Sequence, residues 1–215
     1  MPLFGKDLGV ALGTVNTLIC EGDEIVLHEP TIVAIDVEEL KMVEVGQAAR
    51  EMEGRVPEII NVMRPVRNGV IAEFEVTHRM LGLFLEKVCG PMRFFRPRVM
   101  ITVPHGVTSV ESRAVHEAAL RAGSGEVHLI PEPLAAAIGV GLPIATPSGN
   151  MVVDIGGGVT QAAMIAMSSI VTADAVRIGG IELDEAIASY VRKKYGLIIG
   201  GRTAEEAKIR IGSAI

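Results

Sequence analysis

The sequence has few aromatic residues and few cysteines. None of its 215 residues is tryptophan, and aromatic residues make up only 3%, which disfavours the stacking surfaces that bind single-stranded nucleic acids. The 26 acidic residues outnumber the 20 lysines and arginines, and this balance disfavours a duplex nucleic-acid partner. Cys20 and Cys89 form neither a CxxC motif nor a metal-ligand spacing, so we expect two reduced thiols.

Apolar segments that could span a membrane are also missing. The stretches 133–153 and 155–173 carry no charge, but prolines interrupt the first, and glycines and serines interrupt the second. Neither pattern predicts a continuous membrane-spanning helix. The N-terminus reaches Lys6 and Asp7 after a few apolar residues, which predicts no signal peptide. We therefore expect a cytoplasmic protein.

Two glycine-rich turns have the same design. Residues 152–161 read VVDIGGGVTQ, an apolar strand that ends in Asp154 and runs into three consecutive glycines. A looser copy, GVALGTVNT, occupies residues 9–17. Glycines let the backbone turn so that bare N–H groups face an anion. Two such turns predict two half-domains that hold one nucleotide from both sides.

The order of predicted elements repeats along the chain. Opening strands are followed by helices and strands, and a second set of strands is again followed by helices, which indicates an internal duplication in an α/β protein. The second copy stops at Ile215 inside a helical pattern, so we interpret the chain as a truncated two-domain protein. The predicted helices are 46–54, 76–89, 108–122, 134–141, 181–195 and one from about 203.

The motifs in these elements resemble those of the MreB family of bacterial actin-like, cell-shape-determining proteins. The resemblance covers nearly all of the chain. The residues that carry it are 7–9, 12–14, 16–17, 28–31, 64–65, 68–72, 132–133, 135–139, 151–158, 202–205 and 211–214. It implies an actin-like ATPase fold, which is a duplicated ribonuclease H-like fold, with an incomplete second half. The first half would be 1–145, with a small inserted subdomain at 28–72, and 146–215 would begin the second half.

The resemblance also implies an ATP and Mg²⁺ site between the halves. The implied nucleotide-binding residues are Gly13, Thr14, Val15, Asn16, Gly156, Gly157, Gly158, Gly179, Gly180, Glu205 and Lys208. Asp154 would hold Mg²⁺ through water, since this ion keeps most of its hydration shell. Glu132 matches the family residue that positions the attacking water, a task that a carboxylate can perform as general base.

From the residues alone, each of these positions also has a structural interpretation. The first glycine turn can be an ordinary hairpin, and Asp154 can cap the end of its strand. Glu132 can be a first-turn acid that the helix dipole favours. Glu205 and Lys208, three residues apart, can form a solvated helix face.

Several positions depart from the pattern of the family. Ala11 replaces a second carboxylate, Val159 replaces a threonine, Gln161 replaces a glutamate, and Ile181 replaces an aspartate. A valine side chain can neither donate nor accept a hydrogen bond, and a lost carboxylate removes a charge that orients the metal. We therefore expect nucleotide binding, and whether ATP is hydrolysed stays open.

The segment 91–97 reads PMRFFRP and places Met92, Phe94 and Phe95 among arginines and prolines. Exposed apolar side chains with flanking arginines suit insertion among acidic headgroups, and the segment matches the membrane-contacting loop of the family. The alternative is that both phenylalanines pack into the core of the domain.

The resemblance implies a filament subunit at the inner face of the cell membrane, with other cell-shape and wall-synthesis proteins as partners. One alternative is a regulatory paralogue or fragment that does not hydrolyse ATP and co-assembles with a full-length subunit. Another is a small-molecule kinase of the same superfold.

Overall fold

The structure, a computed structural model, describes residues 5–90 and 96–213. The strands in this part of the chain are β1 (Asp7–Leu12), β2 (Asn16–Glu21), β3 (Glu24–Pro30), β4 (Val33–Asp36), β5 (Lys41–Val45), β6 (Ile60–Met63), β7 (Val66–Arg67), β8 (Val70–Ile71), β9 (Arg98–Val103), β10 (Glu126–Pro131), β11 (Asn150–Ile155), β12 (Thr160–Ala166) and β13 (Ser169–Val176). The helices are α1 (Gln47–Met52), α2 (Phe74–Cys89), α3 (Ser109–Arg121), α4 (Glu132–Gly139), α5 (Gly180–Tyr195) and α6 (Gly201–Ile211).

The largest sheet has five strands in the order β10-β9-β1-β2-β3. β1 pairs with β9 in parallel and with β2 in antiparallel orientation. Successive side chains of a strand point to opposite faces, and alternate residues of β1 are accordingly buried. They pack with the apolar faces of α2 and α3, where Met80, Leu81 and Phe84 are fully buried. This sheet and its helices form the main hydrophobic core.

A second sheet consists of the antiparallel strands β11, β12 and β13. One of its faces packs against α4 through a small cluster that includes Ala137, Ala163 and Ile165. The opposite face leaves Met151 and Val153 more than half exposed. Asp154 and Gln161 lie on the covered face, because they alternate along their strands with Val152, Ala163 and Ile165 of this cluster.

A third sheet, in the order β5-β4-β6, lies in the chain between β3 and the short hairpin of β7 and β8. With α1 it forms a separate small core around Ile32, Ala34 and Ala49. These elements fall within the range 28–72 that we assign to an inserted subdomain. The division of the chain at residue 145 and the bounds of that subdomain stay predictions.

The predicted helices are all present, with small shifts at their ends. Thr108 caps α3 in a full capping box, in which its hydroxyl accepts from the Glu111 N–H and the Glu111 carboxylate accepts from the Thr108 N–H, as the sequence indicates. α4 begins at Glu132, two residues before the predicted start. The strands β5 and β6 were not predicted, because β5 is half exposed and lacks a regular apolar alternation.

None of the helices in the ranges 5–90 and 96–213 combines the length and the apolar character needed to cross a lipid bilayer. The predicted membrane-contacting residues Met92, Phe94 and Phe95 lie outside the described residues. That interpretation stays a prediction.

Candidate nucleotide-binding site

The two glycine-rich turns meet in the structure. The first loop, residues 13–15, joins β1 to β2, and the second loop, residues 156–159, joins β11 to β12. A Cβ atom on Gly157 would lie 2.2 Å from Val15 Cγ2, and one on Gly158 would lie 2.9 Å from Thr14 Oγ1. Both separations are shorter than a van der Waals contact, so any larger residue would push the two loops apart.

Space, and not a special backbone angle, is what requires glycine at these positions. None of the residues 156–158 has a φ in the left-handed region. The second loop is instead closed by a hydrogen bond of 2.8 Å from the Gly156 N–H to the Val159 carbonyl. From the sequence, these glycines are expected to let the backbone turn, whereas in the structure the close packing of Gly157 and Gly158 against the first loop is what requires glycine.

Residues of both loops line one cleft and carry backbone N–H groups without a partner in the ranges 5–90 and 96–213. Within the described part of the chain, the N–H groups of Thr14, Val15, Gly157 and Gly158 have no hydrogen-bond acceptor. The Thr14 hydroxyl accepts from the Gly69 N–H at 3.1 Å and keeps its own proton to donate. Unpaired N–H groups that converge from two loops form an anion-binding concavity.

The cleft between the loops has a volume of about 470 Å³. The residues that line it include Ala11, Gly13, Thr14, Val15, Asn16, Glu132, Asp154, Gly156, Gly157, Gly158 and Val159. The structure thus brings the predicted phosphate-loop residues together with Asp154 and Glu132. Ala11 and Val159, two of the positions that depart from the family pattern, line the same space.

Gln161 connects the acidic side chains of this cleft. Its carboxamide Nε2 donates to Glu132 Oε2 and lies 3.3 Å from Asp154 Oδ2, and its Oε1 accepts from the His105 N–H at 2.8 Å. The side chain is only 2% exposed, so these contacts replace the water that its polar atoms would otherwise bind.

Glu132 has a strongly perturbed pKa. Burial, together with the nearby negative charge of Asp154, raises the pKa of the Glu132 carboxyl to about 7, although the hydrogen bond from Gln161 acts in the opposite direction. A carboxyl group with a pKa near neutrality can accept or donate a proton at physiological pH. Strongly perturbed pKa values are frequent at functional sites, which favours the functional interpretation of Glu132 over a helix first-turn acid.

The donor set of the cleft suits Mg²⁺ that is held mainly by phosphate oxygens. No cluster of three or more acidic, histidine or cysteine side chains that could hold a metal occurs among the described residues. Mg²⁺ commonly uses one or two carboxylates together with water and substrate phosphates. Asp154 supplies such a carboxylate at the edge of the phosphate cleft, whereas Ala11 supplies no ligand.

A second cleft of about 700 Å³ adjoins the first and shares Val15, Asn16, Gly156 and Gly157 with it. Gly180 lines this cleft at the N-terminus of α5. The N–H groups of Gly180 and Ile181 donate to the carbonyls of Gly156 and Gly157, at 3.0 and 2.9 Å. The first turn of α5 therefore supports the second loop, and these two donors are already engaged.

Gly179 contributes to the same contact. A Cβ atom on Gly179 would lie 2.6 Å from the Gly156 carbonyl oxygen, so the approach of α5 to the second loop requires a glycine there. The Gly179 N–H donates to the Glu182 carboxylate at 2.7 Å. The predicted role of Gly179 and Gly180 was to let α5 approach the nucleotide, and the contacts that the structure gives them are with the second loop.

Glu205 and Lys208 both line the second cleft, but they do not pair with each other. Glu205 forms an ion pair of 2.6 Å with Arg50 of α1. Lys208 forms one of 2.8 Å with Asp184 of α5 and donates to the Gly180 carbonyl. The side chains of Glu205 and Lys208 are 25% and 26% exposed, so they do not form the solvated helix face of the structural interpretation.

The residues of the second cleft that the sequence analysis did not place in the site include the charged residues Arg50, Arg64 and Asp184. Arg50 and Asp184 are single charged residues without a motif, and their positions in the cleft depend on how α1 and α5 pack. Arg64 belongs to the pair 64–65 that carries the family resemblance, but no role in the site was predicted for it.

The comparisons with known proteins agree with this geometry. The family model described as "MreB/Mbl protein" matches residues 5–215. The chain is similar to the cell shape-determining protein MreB of Pasteurella multocida, with 52% identity over 99% of this chain and 62% of that protein. It is also similar to the cell shape-determining protein Mbl of Bacillus cereus, with 47% identity over 98% of this chain and 64% of that protein.

Among solved structures, MreB5 of Spiroplasma citri bound to ADP matches with a TM-score of 0.91 and 31% identity, over 98% of this chain and 64% of that one. The chain thus spans less than two thirds of the length of the relatives it matches. Its α/β fold is actin-like, and its second half contains only part of the corresponding half of those relatives. The chain belongs to the MreB/Mbl family of actin-like, cell shape-determining proteins.

Proposed function

We propose that the chain is the nucleotide-binding part of an actin-like cytoskeletal protein that binds ATP with Mg²⁺. The observation that carries this proposal is that residues of two loops, with N–H groups that have no acceptor among the described residues, line one cleft. Thr14 and Val15 would donate to the phosphates from one loop, and Gly157 and Gly158 would donate from the other. Such donors recognise the β- and γ-phosphates of a nucleotide without any charged side chain.

Asp154 would hold Mg²⁺ at the edge of the phosphate cleft. The ion, when bound, supplies positive charge that neutralises the phosphate oxygens. The carboxylate of Asp154 orients the hydration shell of the ion, and the N–H groups of the loops orient the phosphates. The nucleoside would occupy the adjoining cleft, where Glu205 and Lys208 offer an acceptor and a donor to the ribose and the base.

Filament formation follows from the family role of the chain. The MreB and Mbl relatives are cell shape-determining proteins, whereas a folded chain of this length has a radius of gyration of only about 17 Å. Shape can be imposed over cellular distances only by an extended assembly, so we infer self-association into filaments. Other cell-shape and wall-synthesis proteins would be the partners of such filaments.

Location at the inner face of the cell membrane rests on the segment 91–97. Its apolar residues Met92, Phe94 and Phe95 alternate with arginines, a composition that inserts among anionic headgroups. The protein would then be cytoplasmic and peripherally bound.

A regulatory subunit that does not hydrolyse ATP is the second candidate. The observation that favours it is the contact of Gln161 with Glu132, which occupies one oxygen of the proposed general base with a hydrogen bond. Ala11 also leaves one side of the cleft without a carboxylate. In this candidate the chain binds ATP and co-assembles with a complete subunit.

Three measurements on the full chain test the proposal. Calorimetric titration with ATP and Mg²⁺ should detect binding, and no heat of binding would overturn the proposed site. Sedimentation with and without ATP should show a nucleotide-dependent pellet if the chain forms filaments by itself. Phosphate release at the background rate, with binding intact, would favour the regulatory candidate.

The membrane interpretation has its own test. Phe94→Ala combined with Phe95→Ala should abolish co-sedimentation with anionic liposomes, and Phe4→Ala serves as a control change of the same type outside the segment. Unchanged liposome binding by the double variant would overturn the assignment of the segment as an anchor.

A further inference from the structure

The Gln161 side chain forms hydrogen bonds with both Glu132 and Asp154. It lies opposite Asp154 in the register of β11 and β12, where cross-strand neighbours on one face are close enough to interact. Glu132 reaches it from the first turn of α4, and His105 reaches it from the loop after β9. Three separate segments therefore meet at one carboxamide.

The orientation of the carboxamide follows from its partners. A backbone N–H can only donate, so the amide oxygen must face His105, and the NH₂ group must then face the two carboxylates. Both ends of the amide are thereby used, in a side chain that is almost fully buried. The orientation is fixed by the hydrogen-bond network and needs no further assumption.

We propose that Gln161 is a positioning residue for the magnesium site: its carboxamide holds the carboxylate of Asp154 in the orientation that binds hydrated Mg²⁺. The inference rests on the proposed binding of ATP and Mg²⁺. Gln161 contacts the Oδ2 atom of Asp154, and among the described residues the Oδ1 atom has no hydrogen-bond partner. One oxygen is held by the protein, and the other is left for the cleft.

A neutral amide is suited to this position for an electrostatic reason. Glu132 and Asp154 are both acidic, and the NH₂ group donates to each without adding a charge to the cleft. The glutamate that the family has here could accept from the His105 N–H, but as a carboxylate it would have no proton to donate to Glu132 or Asp154, so this contact is particular to the amide of the present chain. An apolar residue would leave the two carboxylates without this shared donor and free to adopt other rotamers.

The test compares the affinity of the full chain for AMPPNP in excess Mg²⁺ with that in EDTA, by calorimetric titration. Gln161→Met keeps the length of the side chain and removes both hydrogen-bonding ends. We expect the ratio of the two affinities to fall by about 10- to 100-fold, the usual cost of removing a residue that orients a metal ligand. The affinity in EDTA should change little.

Gln47 provides the matched control, because it is the other glutamine of the chain. It is exposed and donates to Glu51 on the surface of α1. Gln47→Met should leave the ratio unchanged. Gln161→Asn keeps the amide on a shorter stem that cannot span the three partners. We expect this variant also to lower the ratio of the affinity in Mg²⁺ to the affinity in EDTA. It also keeps the proposal testable if Gln161→Met does not fold.

The outcomes separate this inference from the proposed function. If the wild-type chain binds AMPPNP under neither condition, the proposed function fails, and the inference fails with it. If the wild type shows an effect of Mg²⁺ and both Gln161 variants keep it, only the inference is overturned. A loss of affinity that is equal with and without Mg²⁺ would show a merely structural role and would also overturn it.

Discussion

The first and second sheets differ in how completely they are covered. The five-stranded sheet packs its alternate apolar residues against α2 and α3 and forms the main core. The sheet of β11 to β13 is covered by α4 on one face, and its other face exposes apolar side chains such as Met151 and Val153. In each sheet a glycine-rich loop joins two neighbouring strands, and both loops line the same cleft. The site is therefore built between a well-packed region and a partly covered one.

This difference indicates how stability and function are divided. Burial of apolar area is the main favourable term in folding, and most of it lies around the first sheet. The second sheet contributes the acidic and amide groups of the site from its covered face. We expect substitutions in the two regions to have effects of very different size, and four predictions test this.

The largest effect is expected for the core of the first sheet. Phe84→Ala removes a fully buried ring and should lower the free energy of unfolding by about 3–5 kcal/mol. Val153→Ala, on the open face of the second sheet, where the side chain is 57% exposed, should change it by about 0.5 kcal/mol or less. Urea denaturation measures both. A comparable loss for the two variants would show that the open face is covered by another chain in solution.

The next largest effect is a pH dependence of stability that arises from Glu132, at the start of the helix that covers the second sheet. The pKa of Glu132 is raised to about 7 in the folded chain from an ordinary value of 4.5. Between these pH values the folded state binds the Glu132 proton more strongly than the unfolded state does. The contribution of Glu132 to the free energy of unfolding is therefore fully present below about pH 4.5 and is lost as pH rises through about 7. The total loss should be on the order of 3 kcal/mol.

Denaturation in EDTA at pH 5.5 and pH 8 measures this contribution. The side chain of the Glu132→Gln variant cannot titrate, so the variant should lose most of the difference in the free energy of unfolding between pH 5.5 and pH 8. An equal difference in the wild type and in the variant would contradict the assignment of this pH dependence to Glu132.

A smaller effect is expected where the two regions meet. Gly157→Ala places a Cβ atom 2.2 Å from Val15 Cγ2, so the loops must separate, and ATP affinity should fall about tenfold or more, since such overpacking costs about 1–3 kcal/mol. Gly139→Ala is the control, because its Cβ would meet no atom within 4 Å. Calorimetric titration gives both affinities, and an unchanged affinity for Gly157→Ala would show that the loop contact is not needed.

The smallest effect is expected for the ion pair across the second cleft. Arg50→Met removes the pair with Glu205, whose side chains are 27% and 25% exposed. We expect the free energy of unfolding to fall by about 1 kcal/mol. Lys6→Met, at the more exposed pair with Glu21, should lower it by about 0.3 kcal/mol. Urea denaturation at low and high salt measures both losses. If the order of the two is reversed, the Arg50 pair does not help to join the regions.

The sequence alone predicted the helices, both glycine loops and the loop residues that line the clefts. These features are local: apolar periodicity, capping residues and glycine runs are visible in neighbouring positions. The half-exposed strands β5 and β6 were missed because a weakly buried sheet has little apolar alternation to show. Arg50 and Asp184 were missed because a lone charged residue carries no local signal.

What the sequence determined by itself was the family, the α/β architecture and the positions of the two glycine-rich loops, because these depend on the order of residues along the chain. Tertiary structure decided three other features. It showed that Gly157 and Gly158 are required by the contact with the first loop, that Glu205 pairs with Arg50, and that Gln161 joins Glu132 to Asp154. The physical reason is that each depends on a distance between atoms far apart in the chain, which only packing fixes.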